Sequence, residues 1–329
     1  MNTNVKTKTS IYKKLKRIFY IFNSSITHPL IKGSKILYFF NFLFKFVKLH
    51  IKRNFLKKKD LVIPWINDAK FILYKSDVPL LYNVYWGLSE YPDMIFLAHC
   101  LRENNIFIDC GANVGTYSII ASKVAGANSI TFEPNPNTII KLNRNIELNN
   151  LEKKIDVRKI ALSDKIGNLY FSNYGDTDDV LNRVSLNQSS SSANILIKSS
   201  TLDDEINIKE DFILKMDVEG YESKLIKGAK KLLANENLLA LIIEINQMID
   251  DYGEENREDL HNIILSYGLT PINYDPFNRI VSRKIKDLTN LNKINNSPNI
   301  IYIKNFEKVN NLIKDAKKIK IHNSVCRDL

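Results

Sequence analysis

Cysteine is scarce in this 329-residue chain: Cys100, Cys110 and Cys326 are an odd number with no metal-ligand spacing. That excludes a disulfide framework and fits a reducing compartment such as the cytosol. The five histidines are scattered and form no H-x-x-x-H pair, so no zinc or other metal site is expected. No apolar stretch of about 20 residues runs free of lysine, so no helix is expected to span a membrane. The apolar stretch nearest the N-terminus starts late, carries Lys45 and lacks a small-residue cleavage site, which is not the pattern of a signal peptide. Glycine is also sparse, at 11 residues. Where glycines cluster, they mark a backbone that needs them.

Acidic residues are almost missing from the first part of the chain. Residues 1–60 hold 15 of the 47 lysines and arginines but only one of the 36 acids, Asp60, so the remainder carries 32 basic and 35 acidic residues. The net charge of +11 is therefore the property of an arm, and the rest of the chain is mildly acidic. Two stretches of this arm have helical spacing. In the first, Ile11, Leu15, Ile18, Phe19 and Phe22 share a face opposite Lys13, Lys14, Lys16 and Arg17. In the second, Asn41, Lys45, Lys48 and Lys52 form a narrow polar stripe on an otherwise apolar, Phe-rich helix between Ile36 and Ile51. Such a helix suits the plane of an anionic membrane interface over residues 11–59. Packing on the catalytic part, or on a second copy in a homodimer, is the alternative. No recognition motif accompanies the basic residues, so no specific nucleic-acid partner is expected.

Beyond the arm the chain divides into a cap (61–101), a catalytic domain (102–305) and a basic C-terminal tail (306–329). The cap reads as a strand at Ala69–Tyr74, an aromatic-rich segment at Asp77–Glu90 and a helix at Pro92–Leu101. Strands are expected near 106–110, 129–133, 155–160, 212–217 and 239–245. Helices are expected near 115–124, 136–149, 221–234 and 254–267. Leu269–Tyr274 and Asn299–Ile303 are candidates for a closing pair of strands. This βα alternation predicts an α/β fold, a doubly wound and mostly parallel sheet of seven strands covered on both faces. Asn135–Pro136 is a helix start, with an N-cap followed by proline in the first turn, and Thr201 or Asp203 in T-L-D-D caps another. Ser172–Ser200, rich in Ser, Asn and Asp, is long for a loop and reads as a flap over the acceptor site or as disorder. The tail, with Lys308, Lys314, Lys317, Lys318 and Lys320, reads as solvated, and His261 as structural.

The glycines gather after the first of these catalytic-domain strands. Phe107–Gly115 reads F-I-D-C-G-A-N-V-G, and Glu133 closes the next apolar run about 20 residues on from Asp109, where a ribose-binding acid belongs. A dinucleotide fingerprint needs three glycines for the approach to a pyrophosphate. Here Asn113 stands at the middle position and Thr116 follows Gly115, which turns the reading from NAD toward a cofactor without phosphates, such as S-adenosylmethionine. Asp109 suits an ammonium group, and Asn113 offers both a donor and an acceptor.

A second strand ends in charge at Ile213–Glu222, I-L-K-M-D-V-E-G-Y-E. Taken in order, D-C-G-A-N-V-G, F-E-P-N-P-N, S-T-L-D-D, K-M-D-V-E-G-Y-E and I-I-E-I resemble the FkbM family of S-adenosylmethionine-dependent methyltransferases, over roughly Glu90 to Glu244. The resemblance implies a Rossmann-like class I methyltransferase fold and O-methylation of hydroxyls on sugars, glycolipids or polyketides. It also implies that Glu90 lies near the cofactor and that Ala161 and Leu162 flank adenine. Asp109, Gly111, Asn113 and Gly115 would then hold the methionine part, and Glu133 the ribose. Cys110 and Tyr221 depart from the family's usual residues, and Tyr221 bears on the substrate pocket.

A hydroxyl acceptor needs alignment and a base. Ligands of doubly wound sheets bind at the carboxyl ends of strands, which nominates Asp217, Glu219, Glu222 and Glu244. Lys215, Asp217 and Glu219 would share a strand face. Asp217 or Glu219 is the expected base, with Lys215 and Glu222 orienting the acceptor. The competing reading has Lys215 pairing with Asp217, and Glu222 serving as first-turn helix charge. The predicted activity is S-adenosylmethionine-dependent O-methyl transfer to a sugar, glycan or glycolipid at the inner membrane face. The rivals are an NAD-dependent oxidoreductase or epimerase and a catalytically silent membrane-associated scaffold.

Overall fold

Apolar runs without polar alternation, such as FILKM and LLALIIE, mark strands that lie buried on both faces. The computed structural model describes residues 28–31, 34–54, 60–74, 78–172, 194–251, 255–283 and 299–322, with positions 23, 184, 326, 328 and 329. A short antiparallel hairpin, β1 (Leu61–Pro64) and β2 (Lys70–Leu73), opens the described β-structure. It is followed by β3 (Ile106–Cys110), β4 (Asn128–Phe132), β5 (Ile155–Arg158), β6 (Ala161–Leu162), β7 (Gly167–Ser172) and β8 (Asn194–Ser200). The remaining strands are β9 (Phe212–Met216), β10 (Leu238–Glu244), β11 (Thr270–Asp275), β12 (Ile280–Arg283) and β13 (Asn299–Ile303).

Eight of these strands form the main sheet, in the order β12-β11-β13-β10-β9-β3-β4-β5. The five from β10 to β5 are parallel, and β13, β11 and β12 close the edge antiparallel. The fold is thus the expected α/β doubly wound sheet, with eight strands rather than seven. The extra strand is β12, which folds back on β11 through a turn in which Arg279 takes a left-handed φ of 55°. Progress along the chain runs outward from β3 to β4 and β5, then returns to the other side of β3 as β9. The sheet therefore reverses direction between β3 and β9, which is where such folds bind ligands.

Two apolar clusters cover the sheet faces. Phe107, Ile213 and Ile242 point to one, and Ile108, Leu214 and Ile243 to the other, as alternation along a strand requires. The helix Pro136–Leu148 starts as the sequence predicts, with Asn135 accepting from the Asn137 N–H at 2.9 Å. Its Asn145 and Asn149 accept from the backbone N–H groups of Ile72 and Lys70, each at 2.9 Å, and so fasten the β1–β2 hairpin to the sheet. Thr201 caps the one-turn helix Leu202–Glu205, while Asp203 accepts from Lys231 and Leu232 at the start of the helix Lys230–Ala234. His261 is buried, with its Nδ1 2.6 Å from the Tyr302 hydroxyl.

Two expectations need correction. Ser172–Ser200 is not a loop throughout, because its far end is β8, which pairs antiparallel with β7 and parallel with β6. The flap expected between those strands falls outside the described residues, apart from Val184, which bridges Phe171. The tail is not simply solvated either. Helix Phe306–Lys314 buries Val309 and Ile313, and beyond it Ile319, Ile321 and Leu329 are buried while Lys317, Lys318 and Lys320 are exposed. Ile321 bridges Ile66, and the His322 N–H donates to the Trp65 carbonyl at 2.8 Å. Apolar residues alternating with the lysines carry that docking, and a count of lysines alone conceals it.

The arm is described from residue 34 onward as a helix, Lys35–Asn54. Tyr38 and Phe42 are buried beside Tyr85, with the Phe42 and Tyr85 ring centroids 4.7 Å apart. The amphipathic stretch expected at residues 11–22 lies outside the described residues.

Candidate active site

β3 ends at Cys110, and the chain turns at once through Gly111 with a φ of 84°. A Cβ there would lie 1.9 Å from the Asp217 carbonyl oxygen, so only glycine lets the ends of β3 and β9 meet. The N–H groups of Gly111 and Ala112 both donate to the Phe132 carbonyl at 3.0 Å, which joins the turn to the end of β4. Asn113 (φ 52°) and Gly115 (φ 88°) are also left-handed. The Glu133 carboxylate ties the turn down: it accepts from the Asn113 N–H at 3.0 Å and from the Asn135 N–H at 2.8 Å. An acid at that position thus shapes the turn as well as facing the cleft.

Behind the turn sits a buried charge cluster. Lys215 on β9 is 2% exposed, with its Nζ 2.7 Å from Asp217 Oδ2 and 4.5 Å from the Tyr117 ring centroid. Burial opposes its charge, but Asp217, Asp109 and Glu90 around it outweigh that penalty and hold its pKa above the ordinary lysine value. Burial raises the Asp109 pKa, and Lys215 opposes the shift. Asp109 Oδ2 accepts from the Ser118 hydroxyl at 2.6 Å, while Oδ1 is buried with no hydrogen-bond partner among the described residues. Glu90 accepts from the Tyr117 hydroxyl at 2.7 Å, and burial raises its pKa as well.

After β9 the backbone does not stay extended. Glu219 has a φ of 55° and Gly220 one of 95°, so Glu219 leaves the face that strand alternation would give it. A Cβ on Gly220 would lie 2.9 Å from the Met248 carbonyl, which accounts for the turn at that point. Glu222 begins the next helix, Glu222–Lys227, and its Oε1 accepts from the N–H groups of Val218 at 2.9 Å and Gly220 at 3.4 Å. Burial pushes its carboxyl up to about 7, against those two backbone donors. Glu222 therefore holds the loop rather than reaching outward to an acceptor. At the end of β10, burial and the charges of Asp217 and Glu219 push Glu244 up to about 9. Its protonated form is thereby favoured.

In front of these groups opens a cleft of about 750 Å³, continuous with solvent. Of the residues singled out from the sequence, Gly111, Asn113, Glu133, Ala161, Leu162, Asp217, Glu219 and Tyr221 line it. Glu90, Asp109, Gly115, Lys215 and Glu222 do not, because they sit in the layer that shapes the wall. Sequence reasoning missed the apolar lining from Phe132, Ile160 and Phe171, and the polar Thr138. It also missed Tyr117 and Ser118, which partner Glu90 and Asp109. Only the position of Tyr117 and Ser118 on the first helical turn after the glycines hinted at these contacts. Among the described residues, the charged ones that line the cleft, Glu133, Asp217 and Glu219, are all acids.

A doubly wound sheet with a glycine turn, a ribose-type acid and an acid-lined cleft at its switch point defines a nucleotide-cofactor enzyme fold. The methyltransferase FkbM domain matches residues 109–268. The chain is 27% identical over 177 residues to the hexuronic acid methyltransferase AglP of Haloferax volcanii, covering 53% of this chain and 69% of that one. Among solved structures it is similar to a methyltransferase FkbM from Methylobacillus flagellatus, with 18% identity and a TM-score of 0.40, covering 69% of this chain and 55% of that one. An rRNA methylase from Streptococcus thermophilus matches with 12% identity and a TM-score of 0.34, over 64% of this chain and 91% of that one.

Proposed function

We propose that this protein is an S-adenosylmethionine-dependent O-methyltransferase whose acceptor is a hydroxyl of a sugar, glycan or glycolipid. The observation that carries this reading is the sign of the cleft: among the described residues, its charged lining side chains Glu133, Asp217 and Glu219 are all acids. An acidic cleft attracts a donor that bears a sulfonium and an ammonium group, and repels a pyrophosphate. The same feature disfavours NAD, which the missing third glycine already argued against.

The residues present fit the donor. The turn at Gly111 admits no side chain, and Asn113 lines the cleft beside it. Glu133 stands where two ribose hydroxyls would donate, and Phe132, Ile160, Ala161 and Leu162 offer apolar walls for a purine. When bound, S-adenosylmethionine supplies an electrophilic methyl group. The protein's part is to align the acceptor oxygen and remove its proton. Asp217 is the proposed base. It lines the cleft, and its salt bridge to Lys215 holds the carboxylate. Glu219, presented by its left-handed backbone, faces the acceptor from the same rim. The relative that acts on hexuronic acid supports a sugar acceptor.

Calorimetry of the full chain against S-adenosylmethionine and against NAD tests the reading. The expected result is binding of the first alone, and tight NAD binding without S-adenosylmethionine binding would reverse it. Asp217→Asn should keep donor affinity within about threefold and lower turnover by about a hundredfold or more, the usual range for a lost base.

A further inference from the structure

The helix Lys35–Asn54 has two apolar faces, and only one of them is used. Tyr38 and Phe42 are buried against the domain. On the opposite side Ile36, Phe40, Leu43, Phe44, Val47 and Ile51 are exposed, with Ile36 at 70%, Phe40 at 61% and Phe44 at 65%. At 3.6 residues per turn these six side chains fall within an arc of about 100°. No acidic residue occurs anywhere in the helix. Lys48 and Lys52 follow one edge of the exposed arc, and Lys35 lies on the other. Beside the Lys48 edge runs a groove of about 860 Å³, lined by Lys45, Lys48, Lys52, Trp65 and His322 among others. Lys45 is committed to the Val84 carbonyl at 3.0 Å.

A patch this apolar and outward-facing, with Lys48 and Lys52 along one edge and no acid on its helix, has a narrow range of complements. A second copy docked on the same face about a two-fold axis would set basic edge against basic edge, with no acid on the helix to answer them. A nucleic acid would answer the lysines but leave the Phe-rich centre in water. An anionic lipid leaflet answers both, since apolar side chains enter the boundary between headgroups and acyl chains while the flanking lysines meet phosphates. Among the described residues no helix is long and apolar enough to cross a membrane. That accords with a helix lying in the interface plane.

We propose that helix Lys35–Asn54 docks this protein on an anionic phospholipid leaflet, with the Ile36–Phe40–Phe44–Val47 face inserted and Lys48 and Lys52 paired to lipid phosphates. This proposal is independent of the methyl-transfer reading. Its test is flotation of the full chain with vesicles of phosphatidylcholine containing about one-third phosphatidylglycerol, an anionic surface of the kind that attracts basic segments. Pure phosphatidylcholine vesicles serve as the comparison. The expected result is capture by the anionic vesicles that weakens with added salt. Phe40→Asp/Phe44→Asp should lower the bound fraction about tenfold, and Lys48→Glu/Lys52→Glu should lower it on anionic vesicles and remove the salt dependence. Phe40, Phe44 and Lys48 are exposed and Lys52 is half-buried, so the unfolding temperatures of both variants should stay within about 2 °C of the parent. Absence of capture, or capture unchanged by Phe40→Asp/Phe44→Asp, overturns the proposal. So does a dimer in solution that this variant dissociates, because the face would then belong to a second copy.

Discussion

Lys215 Nζ lies 2.7 Å from Asp217 Oδ2 with its side chain almost wholly buried, so the proposed base shares a salt bridge with a cation that does not line the cleft. That pairing places Lys215 in a supporting role. Its ammonium balances Asp217, Asp109 and Glu90 together, and the orientation of Asp217 toward the cleft depends on it.

Removing that cation should be costly, and the cost should depend on pH. Lys215→Met leaves carboxylates buried without their counter-charge, a change that typically costs about 3–5 kcal/mol. Without the lysine, burial holds the folded-state pKa values of Asp109 and Glu90 further above their unfolded values. Stability is then lost as pH rises above the usual carboxylate range, because the folded state binds more protons than the unfolded one. Urea unfolding at pH 4.5 and 7.5 should show the larger deficit at 7.5. An equal deficit at both would contradict this account.

Glu244→Gln should act in the opposite direction. The folded-state pKa of Glu244, about 9, lies above its unfolded value, so this residue lowers stability progressively as pH rises from about 4.5 toward 9. Glutamine is nearly isosteric and removes the titration. The variant should match the parent near pH 4.5 and unfold at a temperature several degrees higher at pH 8.5, since each kcal/mol moves Tm by about 2–4 °C in a domain of this size. Scanning calorimetry at the two pH values measures it.

The two glycines of the turn should differ in tolerance. Gly111→Ala places a methyl group 1.9 Å from a backbone carbonyl, which cannot move without separating β3 from β9. Gly115→Ala meets the Cδ1 atom of Leu142 at 2.5 Å, the end of a flexible side chain. Both have left-handed backbones and bear that strain of about 1–2 kcal/mol. Only Gly111→Ala should also abolish donor binding in calorimetry, while Gly115→Ala binds with weakened affinity.

Glu222→Ala should separate loop support from chemistry. It strips the acceptor from the Val218 and Gly220 N–H groups, at a cost of about 1–3 kcal/mol for buried donors left unpaired. The loop that presents Glu219 loosens as a result. Turnover should fall by about tenfold while donor affinity changes less than about threefold, since the glycine turn on β3 is untouched. Glu222→Gln, which retains an acceptor oxygen, should recover most of both losses.

The strands were legible because burial on both faces favours near-continuous apolar runs: FILKM and LLALIIE are apolar except at Lys215 and at Glu244, which ends its strand. The glycine turn was legible because a left-handed backbone in close contact with a carbonyl admits nothing else. The fate of the charged residues after β9 was not legible. Alternation placed Lys215, Asp217 and Glu219 on one face, but Gly220 turns the chain early, Glu222 folds back to hold the loop, and Lys215 points into the protein.

The sequence alone determined the parallel core of the sheet, the glycine turn and the basic character of the arm, because local composition and spacing fix each of these. Tertiary structure decided which acids line the cleft and which stand behind it. It also decided that the tail is anchored and that one face of the helix Lys35–Asn54 lies outward. Those outcomes depend on distances between segments far apart in the chain, such as Lys45 with Val84 and Trp65 with His322. No pattern within a single segment encodes such a distance.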